Sequence, residues 1–474
     1  MLRLSVETLA ELTGGELISG TPETIINGLA IDSREVEPGS AFVAFAGERT
    51  DGHRFVPDAL DRGARVVVVT RDADEVREAV AAHGRGETAL VAVDDAYAAI
   101  EALAAWHRDR LTCPVIGITG STGKTTTKDF VRSVLGTTMR VVATSGNRNN
   151  ELGVPLTVMD AGADTEALVV EMAMRGAGQI AHLCDVARPT AGLVTNVGVS
   201  HMEVLGSQEA IASAKGELVQ AIPADGQVFV NGDDAWSATL VATASAEVIT
   251  YGLGSDADIT ACDVVVTPAG MPSFTLAMPE GAAGVTLAVP GKHNVYNALA
   301  AAAVGRYLGV PLTGIVRGLE GATFSRWRME TFVSASGVTV INDAYNANPT
   351  SMRAAIGALQ DLPTRGRRIA VLGDMAELGT LTELAHFELG EEVARSAVDV
   401  LVSVGELGRR IADGAKAAGM PEDVVRPCAN ADEASEVIDD VVEPGDTVLV
   451  KASRVMGLET VVEGMMDPRV QPAS

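Results

Sequence analysis

A glycine-rich run ending in Gly-Lys-Thr carries the strongest chemical signal in the sequence. It spans residues 117–127, after an aliphatic strand predicted for Val115–Thr119 and at the start of a predicted helix. In such a turn the backbone N–H groups wrap around phosphates, and the helix N-terminus adds a favourable dipole. Lys124 would reach the β- and γ-phosphates of ATP, and Thr125 would coordinate Mg²⁺. The predicted ATP-binding residues of this run are Gly120, Ser121, Thr122, Gly123, Lys124, Thr125 and Thr126.

The run departs from the strict phosphate-loop pattern at one position. That pattern has glycine five residues before Gly123, where this sequence has Ile118. A glycine-rich turn that binds nothing is therefore the alternative interpretation. The strand before the run, the helix after it and the Gly-Lys-Thr ending favour phosphate binding.

Polar residues follow the next predicted strands at the point where each strand ends. Glu171 ends one strand and Asn196 the next, and His201 follows across a short glycine-containing loop. Because ligands of open parallel sheets bind outside the carboxyl ends of the strands, these side chains are expected at the same edge as Lys124. A carboxylate and an imidazole beside Thr125 predict a Mg²⁺ site, with the imidazole the less typical ligand. The alternative is that Glu171 caps a helix and His201 lies in a surface loop.

One lysine, Lys215, lies in the alanine-rich stretch Ile211–Ala221, which has a helical pattern. A single lysine on such a helix is usually solvated. The pattern alone therefore predicts no chemical role for it.

The pattern of strands and helices predicts three α/β domains. Residues 1–112 have the short strands and turns of a small N-terminal domain. Residues 113–323 alternate aliphatic strands with helices, which is typical of a parallel sheet wrapped by helices. Residues 324–474 repeat this alternation as a Rossmann-like C-terminal domain. The strands expected in the two larger domains are Val115–Thr119, Leu168–Glu171, Leu193–Val197, Val338–Asn342, Ile369–Leu372, Val400–Val404 and Thr447–Lys451.

Composition excludes several classes of protein. The chain has 474 residues, 47% of them hydrophobic and 21% charged, which indicates a globular fold rather than a disordered one. Its 36 basic and 63 acidic residues give a net charge of −27, a field that repels nucleic acid. The four cysteines are far apart, which argues against a disulfide framework or a zinc site. Because no signal peptide pattern and no apolar run of about 18 residues is present, we expect a cytoplasmic protein without a membrane partner.

The chain resembles the Mur ligase family, whose nucleotide loop also has a non-glycine residue where Ile118 stands. The resemblance continues in order along nearly the whole chain, which makes it far more specific than any single loop. The segments that carry it are Gly117–Thr127, Asn147–Asn150, Glu171–Met172, Asn196–His201, Lys215–Glu217, Gly291–Asn297 and Asp343–Pro349.

Two segments resemble those of the family members that add a D-alanyl-D-alanine dipeptide, Asp343–Pro349 and Leu372–Gly379. The sequence also lacks the Asp-Asn-Pro-Arg motif that is expected of the diamino-acid-adding members. The resemblance therefore implies a three-domain enzyme that uses ATP and Mg²⁺ to add D-alanyl-D-alanine to UDP-N-acetylmuramoyl-tripeptide, acting as a monomer. The N-terminal domain would bind the uridine nucleotide, and an acyl phosphate would activate the carboxylate before the dipeptide amine attacks.

The resemblance also implies roles for individual residues. The catalytic set would be Lys124, Glu171, His201 and Lys215, with a carbamate on Lys215 acting as a metal ligand beside Thr125, Glu171 and His201. His293, Asn294 and Asn297 would lie near adenine. Further implied contacts are Arg328 and Asp343 to phosphate and ribose, Ser33 and Arg34 to the uridine nucleotide, and Asn346 and Asn348 to the dipeptide.

Three other functions are compatible with parts of this pattern. The chain could be the diamino-acid-adding Mur ligase or a ligase of the folylpolyglutamate type. It could also be a phosphate-loop regulatory protein that binds ATP and signals by its conformation. The third α/β domain and the polar residues at the sheet edge argue against the regulatory protein, and phosphate release that depends on an amino-acid acceptor would separate the classes.

Overall fold

A computed structural model describes residues 1–47, 50–70, 74–84, 88–254 and 256–466. The chain divides into two compact units. The first unit comprises Met1–Gly117, Met139–Ala173 and Ile180–Ala191, and the second comprises Ile118–Thr138, Met174–Gln179 and Gly192–Ser474. Within the described ranges, no helix combines the length and the apolar character that crossing a membrane requires.

Strands are distributed along the whole described chain. In order they are β1 (Arg3–Ser5), β2 (Glu16–Ser19), β3 (Ile25–Asn27), β4 (Leu29–Ala30), β5 (Ala41–Val43), β6 (Val66–Thr70), β7 (Ala89–Val93), β8 (Val115–Thr119), β9 (Val141–Ala143), β10 (Ala167–Glu171), β11 (Ala191–Val194), β12 (Gln227–Asn231), β13 (Glu247–Gly252), β14 (Ile259–Val266), β15 (Pro272–Met278), β16 (Gly281–Thr286), β17 (Glu330–Val333), β18 (Thr339–Asn342), β19 (Arg368–Gly373), β20 (Val400–Val404), β21 (Val425–Cys428) and β22 (Thr447–Lys451).

Helices alternate with these strands. They are α1 (Val6–Thr13), α2 (Val56–Asp61), α3 (Asp74–His83), α4 (Ala96–Arg108), α5 (Lys124–Leu135), α6 (Gly153–Asp160), α7 (Gln179–Ala187), α8 (Met202–Leu205), α9 (Gln208–Ala221), α10 (Ser237–Val241), α11 (Asn294–Tyr307), α12 (Leu312–Glu320), α13 (Pro349–Asp361), α14 (Thr382–Arg395), α15 (Gly408–Ala417), α16 (Ala431–Val441) and α17 (Glu459–Met465). Short 3-10 turns occupy Ser33–Glu35, Gly52–Phe55, Gly379–Leu381, Glu422–Val424 and Arg454–Met456.

The first unit contains a sheet in the order β2-β7-β6-β5-β4. Strands β4 to β7 are parallel, and β2 joins β7 antiparallel. β7 is buried along its whole length and β6 along all but its last residue, as expected of parallel strands with both faces covered. Phe42, Leu60, Val67 and Leu90 lie in the core on one face of this sheet. The same unit also contains the order β8-β10-β9.

The second unit contains two sheets. One follows the order β16-β15-β14-β13-β12-β11, in which β12 to β14 are parallel and β14 to β16 form an antiparallel meander. The other follows the order β17-β18-β22-β19-β20-β21 and is parallel except for the edge strand β17. Its register places Lys451 opposite Leu372, so the ends of β22 and β19 reach the same edge.

These elements confirm the predicted α/β class and most of the predicted strands. Val115–Thr119, Val400–Val404 and Thr447–Lys451 have the predicted bounds. The strand predicted for Leu193–Val197 is wrong at its end, because β11 stops at Val194. The next residues use their polar groups elsewhere: Thr195 Oγ1 donates to Thr122 O at 2.6 Å, and the Val197 N–H donates to Asp234 Oδ2 at 2.9 Å.

Candidate active site

The glycine-rich run joins β8 to α5 in a turn that only glycine permits at two positions. Gly120 has φ +148°, and a Cβ there would lie 1.8 Å from Thr195 Oγ1. Gly123, with φ +80°, precedes the first residue of α5, and a Cβ there would lie 2.5 Å from Asn297 Oδ1. The turn therefore brings backbone N–H groups to the N-terminus of α5, where helix geometry leaves them without intrahelical partners. This is the arrangement that binds phosphate.

Residues after β11 hold this turn in place. Asn196 Oδ1 accepts from the backbone N–H and from Oγ1 of Thr122, both at 3.1 Å. Asn196 Nδ2 donates to Thr122 O at 3.1 Å, so the side-chain amide of Asn196 bonds both the N–H and the carbonyl of Thr122. Ser121 Oγ donates to Gly198 O at 3.1 Å and accepts from the Gly198 N–H at 2.8 Å. Lys124 Nζ donates to Gly120 O at 2.7 Å, which folds the lysine back over the turn.

The start of α11 forms a second wall beside the turn. Asn297 Oδ1 accepts from Thr127 Oγ1 at 3.1 Å, and its Nδ2 donates to Asn294 Oδ1 at 2.8 Å. Asn294 Nδ2 donates to Pro290 O at 2.7 Å, so Asn294 supports Asn297 from behind. Burial lowers the pKa of His293 to about 4, partly offset by Asp343. At neutral pH its imidazole is therefore uncharged.

Residues leading into and out of β18 approach the same turn. Arg328 Nη2 donates to Thr125 Oγ1 at 3.2 Å, and its guanidinium stacks over the Tyr345 ring, 4.0 Å from the centroid. Asp343 accepts from Lys451 Nζ at 2.5 Å and from the Met329 N–H at 3.2 Å. Lys451 also donates to Asn346 O at 2.8 Å. Arg328 is therefore held against the turn and the Tyr345 ring.

These walls enclose a central cavity of about 340 Å³. It collects most of the predicted ATP and dipeptide residues: Ser121, Thr122, Gly123, Lys124, Thr125, Thr126, His293, Asn297, Arg328, Asp343, Asn346 and Asn348. Polar residues outside the predicted set also line it, namely Thr195, Asn196, Asn231, Tyr251, Tyr296, Thr350, Ser351 and Lys451. Gly120 and Asn294 support the walls from outside the lining.

Asn346 and Asn348 have local structural contacts as well as exposure to the cavity. Asn346 Oδ1 accepts from the Ala347 N–H at 2.9 Å. Asn348 is the N-cap of α13, where its Oδ1 accepts from the Ser351 N–H at 2.9 Å in a capping box. Each side-chain carbonyl thus already accepts one hydrogen bond, and the Nδ2 groups are donors that could contact a ligand.

His201 lies outside the cavity lining and contacts another predicted segment. Its Nδ1 lies 2.6 Å from Glu377 Oε2, a residue of Leu372–Gly379. Because an ionised carboxylate only accepts, Nδ1 of His201 carries the proton of this hydrogen bond. The hydrogen bond from His201 lowers the pKa of the Glu377 carboxyl, which keeps Glu377 ionised.

Lys215 is buried, so the prediction of a solvated lysine is wrong. The side chain is 1% exposed on the inner face of α9, together with Ile211, Leu218 and Val219. Burial lowers the pKa of Lys215 well below its usual value, and the charge of Lys124 lowers it further. The amine is thus driven towards its neutral, nucleophilic form.

Glu171 ends β10 in the first unit and does not cap a helix. Its Oε1 accepts from Asn149 Nδ2 at 2.8 Å, and its backbone N–H donates to Thr144 Oγ1 at 2.9 Å. The side chain is buried, and within the described residues its Oε2 has no hydrogen-bond partner. Such an atom is costly to bury unless a ligand or ion completes it.

Ser33 and Arg34 lie in the 3-10 turn after β4. Ser33 is buried, whereas Arg34 is exposed and pairs with Asp32 at 2.6 Å. A cavity of about 220 Å³ in this unit is lined by nearby residues such as Ala30 and Glu35, and neither Ser33 nor Arg34 is part of its lining.

Comparison with protein families matches three consecutive segments. Residues 25–108 match the Mur ligase family catalytic domain, residues 118–305 the Mur ligase middle domain, and residues 327–454 the Mur ligase glutamate ligase domain. The chain belongs to the Mur ligase family. Each match lies inside one of the three predicted domains, whose boundaries at residues 112/113 and 323/324 stay predictions.

Relatives of this Mur ligase match over almost their full length. UDP-N-acetylmuramoyl-tripeptide–D-alanyl-D-alanine ligase of Bacillus subtilis (strain 168) is 38% identical over 470 residues, which cover 98% of this chain and 99% of that protein. The crystal structure of MurF from Acinetobacter baumannii has a TM-score of 0.85 at 31% identity and covers 98% of this chain and 99% of that one. MurF ligase from Thermotoga maritima in complex with ADP has a TM-score of 0.75 at 26% identity and covers 93% and 97%.

Lys215 belongs to the predicted site set through the family resemblance, and its burial has a sequence signal of its own. It occupies a core position in the apolar spacing Ile211, Leu218, Val219 of α9. Glu377 belongs to the conspicuous segment Leu372–Gly379, which the site set left without a role. Tyr251, in contrast, lies on a strand with no polar motif around it.

Proposed function

We propose that this Mur ligase adds D-alanyl-D-alanine to UDP-N-acetylmuramoyl-tripeptide at the expense of ATP, as its curated relatives are named to do. The observation that carries the proposal is the central cavity. There the glycine-rich turn lies beside Arg328, Asp343 and Lys451. All three residues belong to the segment 327–454, which matches the glutamate ligase domain. One cavity thus offers both a phosphate cradle and a separate polar wall for an acceptor.

ATP would bind with its phosphates on the turn. The backbone N–H groups at the start of α5, the ammonium of Lys124 and the guanidinium of Arg328 supply positive potential to the phosphates. That local potential is needed because the chain carries a net charge of −27, which would otherwise repel an anion. The neutral imidazole of His293 and the amide of Asn297 remain for the base, and Asp343 for the ribose.

Mg²⁺ fits the residues present. The buried Oε2 of Glu171 lacks a partner within the described chain and is the type of oxygen that Mg²⁺ takes. Among the described residues, no three His, Cys, Asp or Glu side chains form a metal site by themselves. We propose Thr125, Glu171, His201 and a carbamate on Lys215 as ligands. Bound there, the ion would neutralise phosphate charge.

The chemistry follows from the poor reactivity of a carboxylate, whose leaving group would be oxide. The terminal carboxylate of the tripeptide takes the γ-phosphoryl group, with ADP leaving, and becomes an acyl phosphate. The neutral amine of the dipeptide then attacks the carbonyl carbon, phosphate leaves, and the amine loses a proton. Lys124 stabilises the charge that spreads over the transferred phosphoryl group.

Substrate placement extends the proposal to the remaining predicted residues. Ser33 and Arg34 would contact the uridine nucleotide, and the Nδ2 groups of Asn346 and Asn348 would contact the dipeptide. We also propose that the enzyme acts as a monomer in the cytoplasm.

Acceptor choice tests this function. With ATP, Mg²⁺ and UDP-N-acetylmuramoyl-tripeptide, we expect phosphate release to require D-Ala-D-Ala and to stay at background with meso-diaminopimelate, L-Lys or L-Glu. Enzyme without the nucleotide peptide is the matched control. Release with meso-diaminopimelate or L-Lys would instead assign the diamino-acid-adding reaction, release with L-Glu the folylpolyglutamate type, and release that ignores every acceptor a regulatory ATPase.

A further inference from the structure

The segment Leu372–Gly379 leaves β19 and reaches His201, a residue of the middle-domain match. The segment itself lies in the match to the glutamate ligase domain. We infer that Glu377 is a positioning residue for His201: it holds the imidazole with Nδ1 protonated and Nε2 free to act as a ligand. The inference rests on the proposed role of His201 and assigns the segment a function.

The His201–Glu377 contact has the geometry of a ligand and its supporting carboxylate. The two side chains meet at 2.6 Å, between Nδ1 of His201 and Oε2 of Glu377. A histidine that binds a metal usually donates its other ring N–H to a carboxylate, which fixes both tautomer and ring orientation. Arg175 Nε lies 3.9 Å from the other oxygen of Glu377, so a second, exposed charge faces the same carboxylate.

Backbone conformation shows that both partners are held in place. Glu377 has φ +64° and His201 has φ +58°, in the left-handed region that non-glycine residues avoid. Such conformations are strained and persist only where the surroundings enforce them. Their occurrence in the two partners of one hydrogen bond points to a site built for that contact.

The segment is anchored independently on three sides. The Met375 N–H donates to His386 Nε2 at 2.8 Å, and His386 Nδ1 lies 2.6 Å from Thr382 O, so this buried ring is a neutral acceptor towards Met375. The Ala376 N–H donates to Ser453 Oγ at 2.9 Å. Asp374 Oδ1 accepts from the Gly408 N–H at 2.7 Å. Glu377 is therefore presented from a fixed loop.

The segment also lies directly against the helix that follows His201. A Cβ on Gly379, which has φ +55°, would lie 2.9 Å from Glu203 Cα. The Glu203 N–H donates to Glu377 O at 3.4 Å. This close approach lets the glutamate side chain reach the imidazole. The orientation of a middle-domain histidine thus depends on a segment of the glutamate ligase domain.

The test combines two readouts on the full chain. In protein carrying ¹⁵N-labelled histidine, nuclear magnetic resonance shifts of the ring nitrogens report the tautomer of His201. The measurement is made at about pH 8, where free imidazole is neutral. The signals that disappear in His201→Asn are those of His201. Mn²⁺ affinity is measured by electron paramagnetic resonance with a non-hydrolysable ATP analogue. Glu377→Ala removes the acceptor, Glu377→Gln keeps a neutral one, and Arg175→Ala is the control that alters the surroundings of the same carboxylate.

We expect the wild type, Glu377→Gln and Arg175→Ala to keep the Nδ1–H tautomer and Glu377→Ala to lose it. Mn²⁺ should bind at least about tenfold more weakly to Glu377→Ala, the effect typical of lost outer-shell support, with an unchanged melting temperature. An Nε2–H tautomer in the wild type, or a tautomer unaffected by Glu377→Ala, would overturn the positioning role. Unchanged Mn²⁺ affinity in His201→Asn would instead refute the proposed ligand role of His201, whatever the tautomer shows.

Discussion

Replacing Lys124 with alanine is expected to lower kcat by about 10³-fold, the upper range for losing one preorganised charge donor. In the structure the ammonium folds over the glycine-rich turn and donates to Gly120 O at 2.7 Å. It therefore contacts polar backbone rather than the apolar core, and the melting temperature should hardly change. Initial rates of phosphate release with saturating substrates give the measurement.

Lys416→Ala is the control for this experiment. Lys416 lies on α15 and pairs with Glu422 at 3.2 Å, and neither residue lines the cavity. This variant should retain wild-type activity. A Lys124→Ala enzyme that kept a tenth of wild-type activity would have lost only about 1.4 kcal/mol of transition-state stabilisation. That outcome would refute the phosphate-clamp role of Lys124.

Lys215→Ala is expected to be nearly inactive and to regain part of its activity with short carboxylates such as acetate. Lys215 is 1% exposed, and burial drives its amine towards the neutral form that attacks the carbon of carbon dioxide. Formation of the N–C bond breaks one C–O π bond and releases one proton from the nitrogen, so the neutral amine becomes an anionic oxygen ligand. Alanine leaves space in which acetate can supply those oxygens, and activity against acetate concentration measures the rescue.

Lys215→Met separates chemistry from packing. Methionine fills much of the lysine volume without a buried amine, so the melting temperature should stay at or above that of the wild type while activity is lost. Because methionine leaves no space, acetate should not rescue this variant. Near-wild-type activity in Lys215→Ala, with or without bicarbonate, would end the carbamate hypothesis and leave Glu171 and His201 as metal candidates.

The sequence predicted the fold well where local pattern decides structure. Strands such as Val115–Thr119 and Val400–Val404 are aliphatic runs bounded by polar turns, and parallel sheets bury such runs on both faces. The error at Val194 has a non-local cause. Thr195 and Asn196 have the composition of a strand end, but their polar groups are used by the turn before α5, which is distant in sequence.

The site was predictable where a motif imposes backbone geometry and less so where contacts are long-range. Gly120 and Gly123 indicate the turn in the sequence, because a side chain at either position would collide with a neighbouring residue. The helical pattern alone predicted a solvated Lys215, and only the family resemblance assigned it a role in the site. The contact between Glu377 and His201 joins residues 176 positions apart, and no local pattern encodes it.

Isotope transfer from the peptide carboxylate to phosphate tests the central claim most directly. The nucleotide tripeptide is prepared with ¹⁸O in its terminal carboxylate and incubated with ATP, Mg²⁺, D-Ala-D-Ala and enzyme. An acyl phosphate keeps one carboxylate oxygen between carbon and phosphorus, so each phosphate released should carry one ¹⁸O, detected by mass spectrometry, and the new amide should keep the other. Phosphate without ¹⁸O, formed together with the ligated product, would contradict activation of the carboxylate by the γ-phosphoryl group.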